Sequence, residues 1–200
     1  MTRAGFVAVI GAPNAGKSTL VNRLVGAKVT IVTQKAQTTR FPVRGVAIEG
    51  ESQIVLVDTP GIFRPRRRLD RAMVRAAWTG AQEADAVVHL VDAASELAAA
   101  GGSPKAADRR AAEDVRTVNE GLKSARRQAI LALNKVDRVR REDLLALTQR
   151  LVDTGAYGEV FMISALTGSG VEDLKRHLAG LMPEGEWLYP EDQSADLPAR

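Results

Sequence analysis

The segment Gly11-Ala12-Pro13-Asn14-Ala15-Gly16-Lys17-Ser18 decides the fold through its position between two patterned stretches. The apolar run 6–10 before it predicts a short buried strand. Residues 18–25 after it carry apolar side chains at helical spacing and predict an amphipathic helix. A loop of the form Gly-x-x-x-x-Gly-Lys-Ser between a strand and a helix is typical of a phosphate-binding loop. A glycine turn without a ligand is the alternative for this segment taken alone.

Strand-like and helix-like patterns alternate through the rest of the chain. Apolar runs predict strands over 43–49, 53–57, 86–91, 129–133 and 159–163, and helical periodicity predicts helices over 66–78, 142–151 and 171–181. This alternation predicts an α/β P-loop domain built on a mostly parallel, six-stranded sheet with helices on both faces.

Three stretches lack a clean period. Residues 28–40 are polar, and we expect a mobile loop there. Residues 93–107 are rich in alanine and glycine and contain Ser103-Pro104, so we expect a flexible surface insertion. From residue 183 the chain becomes polar and proline-rich, which predicts a linker or tail without a core of its own. The expected domain therefore spans 1–182 and is followed by the tail 183–200.

Composition limits the possible classes of protein. The chain has 200 residues, of which 45% are hydrophobic and 26% charged, which suits one globular domain with a sizeable core. Cysteine is absent from the sequence, so disulfides and thiolate metal sites are excluded. His89 lies inside an apolar run and far from His177, which predicts a histidine of the core rather than a zinc ligand. A net charge of +4 permits a polyanionic partner without requiring one.

The residues of the glycine-rich segment suit a triphosphate. Gly11 and Gly16 permit a tight turn whose backbone N–H groups point inward, and the helix that begins near Lys17 adds the positive end of its dipole. Lys17 would bring a full positive charge to the β- and γ-phosphates. The Ser18 hydroxyl and the Asp58 carboxylate would hold Mg²⁺, an ion that prefers hard oxygen ligands.

Asp58 opens a second motif, Asp58-Thr59-Pro60-Gly61, at the end of a predicted strand. Gly61 can bring its N–H close to the γ-phosphate. A magnesium-binding carboxylate in this context argues strongly against the ligand-free turn as the explanation of the first segment. Ras-like enzymes orient the attacking water with a glutamine at the following position. That position is Ile62 here, which cannot orient water.

Two further motifs suit recognition of a guanine base. Asp137, in Asn134-Lys135-Val136-Asp137, would accept hydrogen bonds from the guanine N1–H and the exocyclic amine, which adenine cannot supply. Rejection of ATP could therefore reach on the order of 10⁴-fold. Asn134 would brace the loop, and the stem of Lys135 would lie along the base. Ser164-Ala165 would present backbone N–H groups to the guanine O6.

The four motifs occur in the order 11–18, 58–61, 134–137 and 163–165, at spacings that suit alternating strands and helices. Together they predict a protein that binds GTP and GDP. The predicted nucleotide-binding residues are Gly11, Ala12, Pro13, Asn14, Ala15, Gly16, Lys17, Ser18, Thr19, Asp58, Thr59, Pro60, Gly61, Ile62, Asn134, Lys135, Val136, Asp137, Ser164, Ala165 and Leu166.

Two segments narrow the resemblance within this class. Gln37-Thr38-Thr39-Arg40, together with the tail 183–193, resembles the Era family of bacterial GTPases, and the resemblance covers essentially the whole chain. It implies GTP hydrolysis, a role in assembly of the small ribosomal subunit, and a cytoplasmic location with some peripheral association with the inner membrane. In this family the tail leads into a KH domain that binds 16S ribosomal RNA. We therefore expect direct RNA contact to depend on that domain, and we expect a monomer with no DNA partner.

The resemblance also implies catalytic roles. Thr39, or alternatively Thr38, would close onto Mg²⁺ in the GTP state, so the expected metal ligands are Ser18, Asp58 and Thr39. Asn14 would hold a K⁺ ion beside the phosphates, which implies slow hydrolysis that K⁺ accelerates. A loop-stabilising amide is the alternative role for Asn14. The expected catalytic residues are Asn14, Lys17, Thr39 and Gly61.

A basic segment follows the second motif. Arg67, Arg71 and Arg75 recur at every fourth residue and would share one helix face. A solvated basic face is the simpler interpretation, and a nucleotide-sensitive contact with ribosomal RNA phosphates is the functional one.

Three alternatives stay open at this stage. The first is another GTPase of the same branch, acting in tRNA modification or in large-subunit assembly. The second is a nucleotide-gated binding module whose own turnover is negligible. The third is an ATP-dependent P-loop kinase, against which Asp137 argues.

Overall fold

A computed structural model describes residues 1–26, 43–58, 78, 81 and 83–190. Within these ranges the chain forms six strands and five α-helices. The elements are β1 (Arg3–Gly11), α1 (Lys17–Val25), β2 (Val43–Glu49), β3 (Ser52–Asp58), β4 (Ala86–Asp92), α2 (Ala93–Ala100), α3 (Ala106–Ser124), β5 (Ala129–Asn134), α4 (Arg141–Val152), β6 (Tyr157–Met162) and α5 (Val171–Leu181). None of the helices described is long and apolar enough to cross a membrane.

The six strands form one sheet in the order β2-β3-β1-β4-β5-β6. β2 pairs antiparallel with β3, and every other neighbouring pair is parallel. The central strands are buried on both faces, which explains why their sequences are apolar throughout rather than alternating. The predicted mostly parallel, six-stranded sheet is confirmed.

Helices cover both faces of the sheet. On one face, α1 and α5 bury side chains such as Leu20 and Leu174 against the strands. On the other face, α3 and α4 bury Leu122 and Leu147. Each of these four helices presents one apolar stripe to the sheet, as its 3.6-residue periodicity requires, so the domain has two hydrophobic layers separated by the sheet.

The prediction of a flexible insertion over 93–107 is wrong. Residues 93–100 form α2, and α3, for which no helix was predicted, begins at Ala106. Alanine is the strongest helix former, and the Asp92 side chain caps α2 by accepting a hydrogen bond from the Ser95 backbone N–H at 3.0 Å. The glycine and proline of this stretch lie between the two helices, where they end one and precede the other.

The prediction for His89 is confirmed. The side chain lies on β4, is fully buried, and its Nδ1 is 2.8 Å from the hydroxyl of Tyr157 on β6. Burial lowers the pKa of His89 to about 3, because the charged imidazolium would lose its hydration. Burial likewise raises the pKa of Tyr157. Both groups are therefore neutral at pH 7, and among the described residues the buried Nε2 of His89 has no hydrogen-bond partner.

Residues 183–190 pack against the end of the sheet opposite the phosphate loop. The Gln53 side chain accepts hydrogen bonds from the backbone N–H groups of Leu188 and Tyr189 and donates one to the Tyr189 carbonyl. The indole of Trp187 donates to the Glu51 carbonyl at 2.9 Å, and the Tyr189 side chain is buried. The boundary at residue 182 and the role of 183–200 as a tail stay predictions, and 191–200 lie outside the described residues.

Candidate guanine-nucleotide site

The carboxyl ends of three strands bring the predicted motifs to one edge of the sheet. Gly11 ends β1, Asp58 ends β3 and Asn134 ends β5. Asp58 is paired with Val9 of β1, and Asn134 is paired with Asp92 at the end of β4. In open parallel sheets ligands bind at this edge, where successive loops converge. Segments far apart in the sequence therefore face the same space.

The backbone of the phosphate loop has the strained geometry that a glycine-rich loop permits. Gly16 has φ of 100° and Asn14 has φ of 69°, both in the left-handed region that favours glycine and tolerates asparagine. A Cβ at position 16 would also collide with the side-chain amide of Asn134. Among the described residues, no side chain caps the first turn of α1, which begins at Lys17. Its N–H groups therefore face the loop, where an anion can bind them.

Lys17 and Asp58 are in direct contact, and Arg44 joins them. Lys17 Nζ is 3.1 Å from Asp58 Oδ1, and Arg44 Nη2 is 2.7 Å from Asp58 Oδ2. Burial alone would raise the pKa of Asp58, but the hydrogen bonds from Arg44 and Lys17 outweigh it and hold that pKa below its usual value. Asp58 is therefore a carboxylate in a strongly cationic environment.

The residues at this position fit Mg²⁺. Asp58 is an ionised oxygen donor that is already surrounded by positive charge, and the Ser18 hydroxyl lies in the first turn of α1, one residue from Lys17. Both are the hard oxygen ligands that Mg²⁺ prefers, and the ion usually keeps several waters besides a few protein ligands. Thr39, the third predicted metal ligand, lies outside the described residues.

Asn134 joins the phosphate loop to the base-reading loop. Its Nδ2 donates to the Ala15 carbonyl at 2.8 Å, and its Oδ1 accepts from the Ala165 N–H at 2.9 Å. The residue is 2% exposed, so both backbone groups depend on it for a partner. Ser164 is also buried, and its hydroxyl accepts from the Thr167 N–H at 3.2 Å. The predicted bracing role of Asn134 fits this geometry.

Lys135 crosses from the base loop to the phosphate loop. Its Nζ donates to the Asn14 carbonyl at 2.9 Å and to Asp92 Oδ2 at 2.7 Å. This reach places the aliphatic stem of Lys135 between the two loops, and its position along a guanine base stays a prediction. Asp137 follows in a short 3₁₀ turn, Val136–Arg138, and is exposed, so its carboxylate is accessible to a ligand.

The structure brings most of the predicted residues to this edge. Those that it describes there are Gly11, Ala12, Pro13, Asn14, Ala15, Gly16, Lys17, Ser18, Thr19, Asp58, Asn134, Lys135, Val136, Asp137, Ser164, Ala165 and Leu166. The predicted contacts Thr59, Pro60, Gly61 and Ile62, the alternatives Thr38 and Thr39, and the basic segment 64–75 lie outside the described residues.

Sequence reasoning missed three residues that shape the site. Arg23 of α1 donates to the Ala165 carbonyl at 3.0 Å and also contacts the Leu166 carbonyl. Arg44 contacts Asp58, and Asp92 contacts Lys135. Asp92 had a readable signal, since an aspartate between a strand and an alanine-rich stretch is a helix N-cap candidate. Nothing in the sequence pairs Arg23 with residue 165 or Arg44 with residue 58.

A buried carboxylate lies close to the phosphate loop. Glu96 of α2 is 7% exposed and accepts a hydrogen bond from Arg150 of α4 at 2.9 Å, while its other oxygen has no hydrogen bond from the part of the chain that the structure describes. Burial raises the pKa of Glu96, and Arg150 and Arg116 oppose that effect. The pair ties α2 to α4 and so fixes the strand-to-helix junction that begins at Asp92.

A phosphate loop, a cation-binding carboxylate and a base-reading loop at one sheet edge define a P-loop guanine-nucleotide-binding domain. A family model described as 50S ribosome-binding GTPase matches residues 6–135. The chain belongs to this GTPase family. The alternative of an ATP-dependent kinase loses its support.

Comparison with individual proteins confirms the resemblance to Era. The GTPase Era of Caulobacter vibrioides is 69% identical over 199 residues, and that of Rhizobium meliloti is 58% identical over 199 residues. Each alignment covers 100% of this chain, but only 63% and 59% of the respective relative. The chain thus spans less than two thirds of the length of these relatives.

Two solved structures share this fold. A single-substitution variant of Aquifex aeolicus Era bound to GDP and AlF₄⁻ gives a TM-score of 0.70 at 36% identity, covering 98% of this chain and 63% of that one. Era in complex with MgGDPNP and nucleotides 1506–1542 of 16S ribosomal RNA gives 0.71 at 35% identity, covering 99% and 63%.

Proposed function

We propose that this chain binds GTP and GDP together with Mg²⁺, hydrolyses GTP, and changes shape between the two nucleotide states. The observation that carries the proposal is the position of Asn134, whose single buried side chain bonds both the phosphate loop and the base loop. A nucleotide is the ligand that needs a phosphate site and a base site at a fixed separation. Membership of a GTPase family supports the same conclusion.

The described residues divide the work of binding. The N–H groups at the start of α1 and the ammonium of Lys17 bind and orient the phosphates. Asp58 and Ser18 would hold Mg²⁺, which neutralises phosphate charge when it is bound. Asp137 binds the guanine edge. Asn134 and Lys135 hold the base loop at a fixed position relative to the phosphate loop. The chain therefore holds a nucleotide by both its phosphates and its base.

Competition between nucleotides tests the base-reading assignment. We expect GTP to displace a fluorescent GDP analogue at a concentration about 10⁴-fold lower than ATP requires. Asp137→Asn should reduce this ratio about 100-fold or more, because an amide cannot accept from both guanine donors. Asp153→Asn, at an exposed residue paired with Gln149, is the matched control and should leave the ratio unchanged. Equal competition by ATP and GTP would contradict the proposal.

We propose further that hydrolysis is slow and that K⁺ accelerates it through Asn14. The support is geometric: Asn14 stands in a left-handed backbone conformation, with its side chain exposed at the phosphate loop and its carbonyl held by Lys135. Turnover should be faster in K⁺ than in Na⁺, and Asn14→Ala should remove the difference without preventing GDP binding. Equal turnover in both salts removes the K⁺ proposal, and turnover that is negligible in both favours the binding-module alternative.

In the cell, we propose a role in assembly of the small ribosomal subunit. The support is that relatives named GTPase Era match the whole chain and that one Era structure contains nucleotides of 16S ribosomal RNA. On this proposal the protein is cytoplasmic with some peripheral membrane association and acts as a monomer, and its direct RNA contact depends on a KH domain of the kind that follows the tail in the Era family.

Sedimentation with small ribosomal subunits tests this role. The chain is loaded with GDP or with a non-hydrolysable GTP analogue before centrifugation. Co-sedimentation of the GTP-analogue form alone supports nucleotide-dependent contacts made by this domain, and charge reversal of Arg67 and Arg71 then tests the basic segment. Absence of binding in both states assigns targeting to a region outside this chain. Binding to large subunits instead would favour the large-subunit alternative.

A further inference from the structure

Both oxygens of the Asp58 carboxylate contact cationic side chains of the protein itself. Oδ1 is 3.1 Å from Lys17 Nζ, and Oδ2 accepts from Arg44 at 2.7 Å (Nη2) and 3.1 Å (Nε). Lys17 belongs to the phosphate loop and has an evident role there. Arg44 belongs to no nucleotide motif, yet it makes the shorter contact.

An irregularity in β2 explains how Arg44 reaches the site. Val43 is paired with Val57 and Gly45 with Leu56, so two steps along β2 correspond to one step along β3 at this point. Such a β-bulge bends its strand and changes the direction of a side chain, and bulges are common beside active sites. Arg44 is the extra residue. The bulge thus directs a guanidinium towards the last residue of β3.

We propose that Arg44 is a positioning residue that competes with Mg²⁺ for Asp58. In nucleotide-free protein it holds the carboxylate in place, and it must release Oδ2 when the hydrated ion arrives with the nucleotide. Arg44 thereby sets how much Mg²⁺ the protein needs to retain its nucleotide. This inference rests on the proposed binding of GDP with Mg²⁺ at Asp58.

The physical reason is competition for the same lone pairs. A carboxylate oxygen that accepts two guanidinium N–H bonds has little capacity left for a metal-bound water, and a guanidinium and a divalent cation repel each other at this separation. The Arg44 side chain is 51% exposed, so solvent screens the pair and its contribution is modest. We expect an effect of about 2- to 5-fold rather than of orders of magnitude.

The test measures release of a fluorescent GDP analogue as a function of Mg²⁺ concentration. The midpoint is the Mg²⁺ concentration at which release of the analogue is half-suppressed. In Arg44→Ala it should be about 2- to 5-fold lower than in wild type, because a competitor for Asp58 has been removed. Arg44→Lys keeps the positive charge but cannot donate two hydrogen bonds to one carboxylate oxygen. Its Mg²⁺ midpoint should lie between those of wild type and Arg44→Ala. Arg176→Ala is the matched control, because Arg176 is an exposed arginine with a 2.9 Å contact to Asp173 far from the site; its midpoint should match wild type.

A second readout separates competition from a merely structural role. In nucleotide-free protein without Mg²⁺, Arg44→Ala should be less stable to heat than wild type, and the difference should shrink once GDP and Mg²⁺ are bound. An unchanged or raised Mg²⁺ midpoint in Arg44→Ala overturns the inference while leaving the proposed function intact. Wild-type protein that binds the GDP analogue equally with and without Mg²⁺ also overturns it. Failure of wild type to bind any guanine nucleotide rejects both.

Discussion

The base half and the phosphate half of the site are held together by different forces. In the base half, buried Asn134 bonds neutral backbone groups of the phosphate loop and of the loop after β6, and buried Ser164 bonds one within its own loop. Lys135 adds a single ion pair with Asp92. In the phosphate half, Lys17, Arg44 and Asp58 hold one another as ions. The base half is thus scaffolded independently of any ligand, whereas the charged groups of the phosphate half are those that a nucleotide and its cation would contact. Base recognition should therefore be preorganised, and phosphate binding should require an exchange of partners.

The largest effect should come from breaking the scaffold of the base half. Asn134→Ala removes the partner of two buried backbone groups, at Ala15 and Ala165, so we expect a loss of about 3 kcal/mol in the free energy of unfolding. GDP affinity should fall at least 100-fold, because the phosphate loop and the base loop are no longer held at a fixed separation. Urea denaturation and titration with a fluorescent GDP analogue measure the two effects.

Asn119→Ala supplies the matched control for that variant. Asn119 is similarly buried and donates to the Thr154 hydroxyl at 2.8 Å, away from the site. It should lose about 1 kcal/mol of stability and keep its GDP affinity. If both asparagine variants lost stability but retained nucleotide equally, the view of Asn134 as the link between the two loops would be wrong.

Acid should weaken the strands that support the base half. His89 on β4 contacts Tyr157 on β6, and β5 with Asn134 lies between these strands. The pKa of His89 is lowered from 6.5 to about 3 in the folded protein, so between these values the unfolded state binds the extra proton. The contribution of neutral His89 to the free energy of unfolding is fully present above pH 6.5. It is lost as the pH falls towards 3, at about 1.4 kcal/mol per pH unit.

Urea denaturation between pH 7 and pH 5 measures this dependence. Wild type should lose about 2 kcal/mol over the window, and His89→Gln should show a flatter profile. His177→Gln, at the other histidine of the chain, should keep the wild-type slope. A slope that persists in His89→Gln would assign the acid sensitivity to other groups.

The smallest change in stability should come from the phosphate half. Lys17→Met removes one of the two cations on Asp58, but Arg44 still neutralises the carboxylate. We expect a loss of less than about 1 kcal/mol in the nucleotide-free protein, together with a loss of GDP affinity of about 100-fold. Lys175→Met, at a lysine 3.9 Å from Glu49 and away from the site, serves as control. A stability loss in Lys17→Met as large as that in Asn134→Ala would remove the distinction between the halves.

The sheet and the site motifs were predictable because their signals are local. Apolar runs and helical periodicity identified all six strands and three of the five described helices, and motif spacing placed the loops at the right strand ends. The helix over 93–100 was missed because an alanine-rich composition suits either a helix or a loop until a cap decides. Asp92 supplies that cap. The helix over 106–124 was missed although Val115, Val118 and Leu122 recur at helical spacing.

The contacts that sequence reasoning missed depend on tertiary register. Arg44 reaches Asp58 only because β2 bulges beside β3, and Arg23 reaches Ala165 only because α1 lies against the loop after β6. Neither the bulge nor the helix placement leaves a pattern in the residues themselves. Motifs can therefore indicate which ligand is bound, but the side chains that tune its binding emerge from packing.

The docking of residues 183–190 has a mechanical consequence. Tension applied to the chain beyond Tyr189 would first load the three hydrogen bonds at Gln53 and the one from Trp187 to Glu51. These bonds lie at the amino end of β3, whose carboxyl end is Asp58. A pull from that direction would therefore act on the strand, seven residues long, whose far end carries the carboxylate of the phosphate half.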